Sequence, residues 1–407
     1  MAERVKRLRD FVTEHWLALT MVVVLAIAGD LLEEHRRDLP PLVAWQSFAY
    51  RTLAHLDPQQ SYADHVVVVK IDDLTWKKVG FEGITDRHFL ATVIRRAAAA
   101  GAAVVALDID LSVDPAADDH PQRVKANRDL LAAIEDVGRR APPVPVVVDV
   151  GFNGGSELRN VFADSELPHV LAGVGALIGF DNAPYDERTL PLVALQRRAS
   201  DSQLVPFYSL ALRAADSYGR LLHFRTPITQ RSPVNRAIVS GEFVYHAFLH
   251  EEDFESVSAL DVAAGRPREL SRLAHRVVLV GGYRKNTSGE LIDRSTTPVG
   301  EMVGVFIHAN RIEALLGGHM KGTLPWWVPF VVDLVLGFTM VAVWFRARTL
   351  RERLWLIPVF AVPIAAAYVL SVNLQYALDF ALPLFVLMID LVLEAYHGIG
   401  RKEAHHA

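Results

Sequence analysis

Five acidic residues stand where a parallel sheet would gather them. Asp72 and Asp73 close the apolar run Val66-Val67-Val68-Val69-Lys70-Ile71, and Asp108 and Asp110 close Ala103-Val104-Val105-Ala106-Leu107. Asp293 lies on the loop after a later run, Arg276-Val277-Val278-Leu279-Val280. In open parallel sheets, ligands collect outside the carboxyl ends of the strands. Several carboxylates converging on one rim can hold a divalent cation or a cationic ligand. The competing reading is structural, because acids also cap the helices and close the turns that follow strands. No cofactor is called for, and the residue types leave open whether these acids bind a metal.

Catalytic constellations are harder to find. Leu107-Asp108-Ile109-Asp110 resembles the strand-end Asp-x-Asp of haloacid-dehalogenase-like phosphatases, but the glycine and threonine expected after it are missing. A metal-dependent hydrolase built on the strand-end acids is therefore an alternative to a binding site, and a structural subunit of an envelope complex is another. Gly281-Gly282 is no dinucleotide fingerprint, since the next predicted helix begins some twenty residues later. No Gly-x-Ser-x-Gly elbow, Walker lysine loop or His-Glu-x-x-His pair occurs. His308 falls on a predicted helix and reads as a hydrogen-bonded packing residue. Cysteine is absent, which removes disulfides, zinc-thiolate sites and thiol catalysis. The expectation is a protein that binds rather than catalyses.

The elements that would position these acids follow from apolar spacing. Val66 to Asp73 has the length of a buried strand. Thr85 is the expected cap of a helix from about 86 to 100, whose Phe89, Leu90, Val93, Ile94 and Ala97 share one face before Gly101. Strand, helix and strand with short joints form the right-handed parallel crossover unit. The pattern continues with a helix near 121 to 137, a strand from Val144 to Val150, a helix at 206 to 218, further sheet at Leu222-His223-Phe224-Arg225, and the strand Arg276 to Gly282 with its glycine turn. A last helix covers about 304 to 316. The fold class is α/β with a mostly parallel sheet.

Around this domain lie four stretches with the length and apolarity of transmembrane helices: 16–32, 325–345, 354–372 and 377–396. The amino terminus, 1–15, carries Arg4, Lys6, Arg7 and Arg9; the link 346–353 carries four arginines; the tail 397–407 carries Arg401 and Lys402. Basic flanks favour the cytoplasmic side, so 33–324 is expected outside a bacterial inner membrane. A net charge of −5 without a basic stripe argues against a nucleic-acid partner. Asp333 and Asp390 fall inside spans, where a lipid-facing carboxylate costs at least about 2.5 kcal/mol, and are candidate contacts with another span. Membrane lipid, a separate signalling or envelope protein and a homo-oligomer are the expected partners.

Several segments carry a resemblance to a known family. Val67 to Asp73, Gly101 to Ile109, Leu222 to Pro227, Phe254 to Val262 and Arg276 to Gly282 are similar to the second type of CHASE domain, the extracytoplasmic sensory domain of bacterial membrane receptors. The most specific block is Asp293 with Thr297-Pro298-Val299-Gly300 and Gly304-Val305-Phe306-Ile307-His308-Ala309-Asn310-Arg311-Ile312. The resemblance implies a sensor with one span before the domain and three after it, and it adds Thr297 and His308 to the acids as candidate ligand-binding residues. Residues 397–407 are too few to fold into an output domain, so the expected sensor signals or assembles through partner proteins.

Overall fold

The computed structural model describes residues 63–79, 85–109, 111, 121–149, 170–173, 189–191, 193–197, 204–221, 243–246, 249–285, 289–297, 299–317, 320–323 and 376–377, with single helical positions within 13–27 and 330–339. The chain divides into two compact units, 57–321 and 1–56 with 322–407.

In the unit 57–321 the order is β1 (Val66–Asp72), α1 (Asp73–Val79), α2 (Arg87–Ala99), β2 (Val104–Asp108), α3 (Pro121–Gly138), β3 (Val146–Asp149) and β4 (Val170–Gly173). Then come β5 (Thr189–Pro191), β6 (Val193–Arg197), β7 (Leu204–Tyr208), α4 (Leu210–Leu221), β8 (Phe243–His246), β9 (Glu255–Ser258), α5 (Ala259–Ala263) and α6 (Pro267–Ser271). The unit closes with β10 (Val277–Tyr283), β11 (Arg294–Thr297), β12 (Gly300–Val303), α7 (Gly304–Gly317) and the start of β13 (Met320–Thr323).

Six strands make one sheet in the order β4-β3-β2-β10-β1-β9. Every neighbouring pair is parallel, so the expected α/β class holds. The valine runs of β1, β2, β3 and β10 are apolar without interruption because both faces of the sheet are covered. On one face Val67, Val69, Val105, Leu107, Val146, Val148, Val278 and Val280 meet Leu90, Val93 and Ile94 of α2 and Leu130, Ile134 and Val137 of α3. The alternate residues, Val66, Val68, Val104, Ala106, Val147, Val277 and Leu279, are buried on the other face, where α4 and α7 pack on the strands and on each other.

Three boundaries differ from the sequence reading. Asp86, not Thr85, caps α2: it holds the extended backbone of a cap, and its carboxylate accepts from the His88 N–H at 2.8 Å. The helix expected over 206 to 218 starts at Leu210, because Leu204–Tyr208, rich in β-branched and aromatic residues, pairs antiparallel with β6 instead. Gly281 and Gly282 do not turn; both continue β10. The strand β9, with Val257 its one buried residue, was too polar to read as a strand.

In the other unit Gly322 and Thr323 of β13 pair in parallel with β14 (Tyr376–Ala377), so Ala377, expected to open the fourth span, lies in a strand. Thr13, Trp16, Thr20, Val23, Val24 and Ile27 are helical, as are Phe330, Val331, Leu334, Val335, Phe338 and Thr339. Among the described residues no helix is long and apolar enough to cross a membrane. Most of the four expected spans, the region 36–62, Leu222–Arg225, Asp110, Asp333 and Asp390 lie outside the described residues.

Candidate functional site

The strand ends carry one crevice marked by topology. After β2 the chain turns to α3 on one face of the sheet, and after β10 it passes through the β11–β12 hairpin to α7 on the opposite face. Neighbouring strands whose connections leave in opposite directions open a gap at their carboxyl ends, which is where ligands settle in such sheets. Asp108 and Gly281 are directly paired across that gap.

Strand alternation aims the acids. Val104 and Ala106 face α4 and α7, so Asp108, two residues further, faces the same way; Val147 and Asp149 repeat the pattern on β3. Helix α7 approaches from above and supplies the rest. Gly304, His308 and Arg311 stand at i, i+4 and i+7, one stripe of the helix. Close approach depends on two glycines. A Cβ on Gly281 would lie 2.5 Å from Cγ2 of Val305 and 3.2 Å from Oδ2 of Asp108. A Cβ on Gly304 would overlap the Asp293 carboxylate. Asp293 itself sits in the left-handed region at φ 60°, with its backbone carbonyl accepting from the Gly304 N–H at 2.9 Å. Aspartate tolerates that conformation better than most residues.

These side chains form a mixed cluster. Nε2 of His308 lies 3.7 Å from Oδ1 of Asp108, with the two side chains only 11% and 15% exposed. That separation is longer than a hydrogen bond. Burial, then the neighbouring Asp149 and Asp293 carboxylates, pushes the Asp108 carboxyl well above its ordinary range, against the opposing pull of the Arg311 guanidinium. Burial, with Arg311 adding to it, lowers His308 to about 3. The Asp293 carboxyl, turned inward although the residue as a whole is exposed, is raised by its burial. Arg311 is buried. The cluster therefore holds its cation deep and favours the neutral forms of Asp108 and His308.

The remaining candidates are engaged elsewhere. Oδ1 of Asp72 accepts from the backbone N–H of Thr75 at 2.8 Å and from its hydroxyl at 2.7 Å, capping α1. Asp73 opens α1 and accepts from the Lys285 N–H at 3.1 Å. Thr297 donates its hydroxyl to the Gly300 carbonyl at 2.6 Å, closing the β11–β12 turn. Of the acids, histidine and threonine singled out by sequence, the structure brings Asp108, Asp293 and His308 together. Asp149, Arg311, Gly281 and Gly304 were missed. The 304–308–311 spacing was the available signal for the helix stripe; for Asp149, the signal was its place at the end of a third apolar run. Among the described residues no group of three histidine or acidic side chains could hold a metal ion.

A parallel sheet covered on both faces, with polar groups gathered at its switch point, places this unit among the doubly wound α/β domains. The chain belongs to the CHASE2 domain family, whose model matches residues 17–345. CHASE2 domains are extracytoplasmic sensory domains of membrane proteins. No curated protein and no solved structure matches the chain.

Proposed function

We propose that the chain is a membrane-anchored extracytoplasmic sensor or receptor subunit of a bacterial inner membrane, that it responds at the crevice holding Asp108, Asp293 and His308, and that it works through partner proteins rather than by catalysis. The observation that supports the anchoring is exposed apolar residues on helical backbone in both flanking stretches, among the described residues. Trp16, Val24 and Ile27 are exposed, and so are Val331, Val335 and Phe338. Exposed apolar side chains grouped in this way mark contact with lipid or another protein. Thr20 returns its hydroxyl to the Trp16 carbonyl at 2.8 Å and Thr339 to the Val335 carbonyl at 2.7 Å. That is how a hydroxyl is satisfied where no water reaches it.

Only residues 318–324 separate α7 from the apolar stretch 325–345. A change in α7 at the crevice therefore has a short covalent path to the membrane. Asp333 and Asp390 are proposed as contacts with a partner span or a second copy of the chain. Reporter fusions near positions 60, 350, 375 and 407 test the topology: external signals at 60 and 375 with cytosolic signals at 350 and 407 support it. Cytosolic activity at position 60 would remove the sensor reading altogether. Gentle extraction followed by mass measurement tests the partnership, and a lone monomer that cross-links to nothing in native-like lipid counts against it.

A further inference from the structure

Two titratable groups face each other across the crevice without a bond between them. Asp108 ends the strand beside the centre of the sheet, and His308 sits one turn into α7. Their closest polar atoms are 3.7 Å apart, and His308 is nine-tenths buried at 9% exposure. A packing histidine normally finds a partner within hydrogen-bond distance; this one is aimed at a carboxylate just beyond it. Other charges facing the pair are Asp149 from β3, Asp293 from the loop before β11, and Arg311 from α7. The paired position on β10 is Gly281, and α4, which packs on β2, carries Arg213 and Asp216.

We propose that Asp108 and His308 form a proton-operated latch between the sheet and α7, so that one proton taken up at the crevice ties the first turns of the helix to the end of β2 and its loss releases them. The proton comes from bulk water and forms an O–H bond on Oδ1 of Asp108; no electrons are exchanged. Burial and the two neighbouring carboxylates hold Asp108 well above ordinary carboxyls, while burial and Arg311 keep His308 down at about 3, so the carboxylate takes the proton before the imidazole does. A protonated carboxyl is a donor and a neutral imidazole with its proton on Nδ1 is an acceptor at Nε2. Such a pair settles at about 2.8 Å, a closure within reach of the two side chains, and the bond ties α7 to the end of β2. Gly281 is what lets α7 pack this close, because Val305 already lies where a Cβ on β10 would stand.

A proton suits this site as a stimulus. It needs no cavity, and it acts directly on how firmly α7, which precedes the stretch 325–345, is held to the sheet. The latch takes its biological meaning from the sensor reading, yet it is a property of the folded domain and is measured whatever the topology proves to be. The two can thus fail separately.

Hydrogen–deuterium exchange on the purified full-length chain in lipid nanodiscs tests it. After correction for the intrinsic pH dependence of exchange, amides of residues 304–311 should exchange about tenfold more slowly at about pH 5 than at about pH 8, the size expected for one charge change beside a partly buried helix terminus. Asp108→Asn, which carries a donor at every pH, should show the slow rate at both; His308→Leu should show the fast rate at both. Unchanged exchange in the wild type, or a full pH response surviving in Asp108→Asn, overturns the proposal. Should Asp108→Asn fail to fold, the wild-type infrared difference spectrum between the same pH values decides. A buried protonated-carboxyl band that shifts in His308→Leu supports the latch, and its absence overturns it.

Discussion

Helix α7 carries a histidine–carboxylate pair at each end, and the two pairs are built oppositely. At the amino ends of the strands, Glu313 is buried and accepts from the Asp64 N–H at 3.3 Å, the His65 N–H at 3.2 Å and Nδ1 of His65 at 2.6 Å. Its hydrogen bond, then its charge, raises His65 above the ordinary imidazole value, although burial opposes the shift. At the carboxyl ends, Asp108 and His308 stand 3.7 Å apart and both are driven toward neutrality. The Glu313 pair is closed by three hydrogen bonds and is the pinned end; the Asp108 pair is open, although the Gly304 N–H there bonds the Asp293 carbonyl, and it is the end that the proposed latch makes responsive. The open pair lies in the crevice where parallel sheets bind ligands.

Breaking the pinned end should cost most. Glu313→Ala removes the acceptor for three N–H groups and leaves His65 half-buried without its carboxylate, so a loss of about 3 kcal/mol in full-chain denaturant melts is expected. A loss below about 0.5 kcal/mol, the usual size for an unimportant surface position, would mean that α7 is not anchored there. Next in size is the floor of the responsive end. Gly281→Ala places a methyl group 2.5 Å from Val305, and overpacking of this kind costs about 2 kcal/mol. It should also force α7 away from Asp108, abolishing the exchange response of residues 304–311. Retention of that response in Gly281→Ala would show that close approach of the helix is dispensable.

The difference between the ends also explains what could be read from sequence. Apolar runs and helix periodicity revealed β1, α2, β2, α3, β3, β10 and α7, because these segments are buried on one or both faces and burial dictates residue type. The same runs placed Asp108 at a strand end. Composition could not separate Asp108 from Asp72, which look alike at the ends of valine-rich strands; they differ because Thr75 is three residues after Asp72 and turns it into a cap. Nor could it place β10 between β1 and β2, a long-range pairing that makes Asp108, Asp293 and His308 neighbours across some two hundred residues. Glu313 was hidden for a related reason, since its partners at Asp64 and His65 lie 249 and 248 residues away.

At the responsive end a substitution should stabilise. Asp108 has a raised folded value, so the folded domain favours the neutral acid, and the ionised form it carries at high pH is a burden on the fold. Asp108→Asn removes that burden, and a gain of about 1 kcal/mol is expected at about pH 8, shrinking as the wild type takes up its proton in milder acid. An equal or larger loss of stability at high pH would place Asp108 among the structural acids with Asp72.

The smallest effect separates the ends by the direction of their pH dependence. His65 holds its proton more tightly when folded than when unfolded, because Glu313 accepts from it. Its contribution is therefore complete below the unfolded imidazole value of about 6.5 and is lost as the pH rises through the higher folded value. Glu313→Gln keeps an oxygen for the two backbone N–H groups but removes the charge, so the wild-type advantage over this variant should be largest near about pH 6 and fall by several tenths of a kcal/mol towards about pH 9. The advantage of Asp108→Asn over the wild type runs the other way, growing as the pH rises. Paired melts of the two variants across that range measure both trends on the same chain. Parallel trends would mean that the two histidine–carboxylate pairs are electrostatically alike and that α7 has no distinct pinned and responsive end; opposed trends are what a helix fixed at Glu313 and loosened at Asp108 must show.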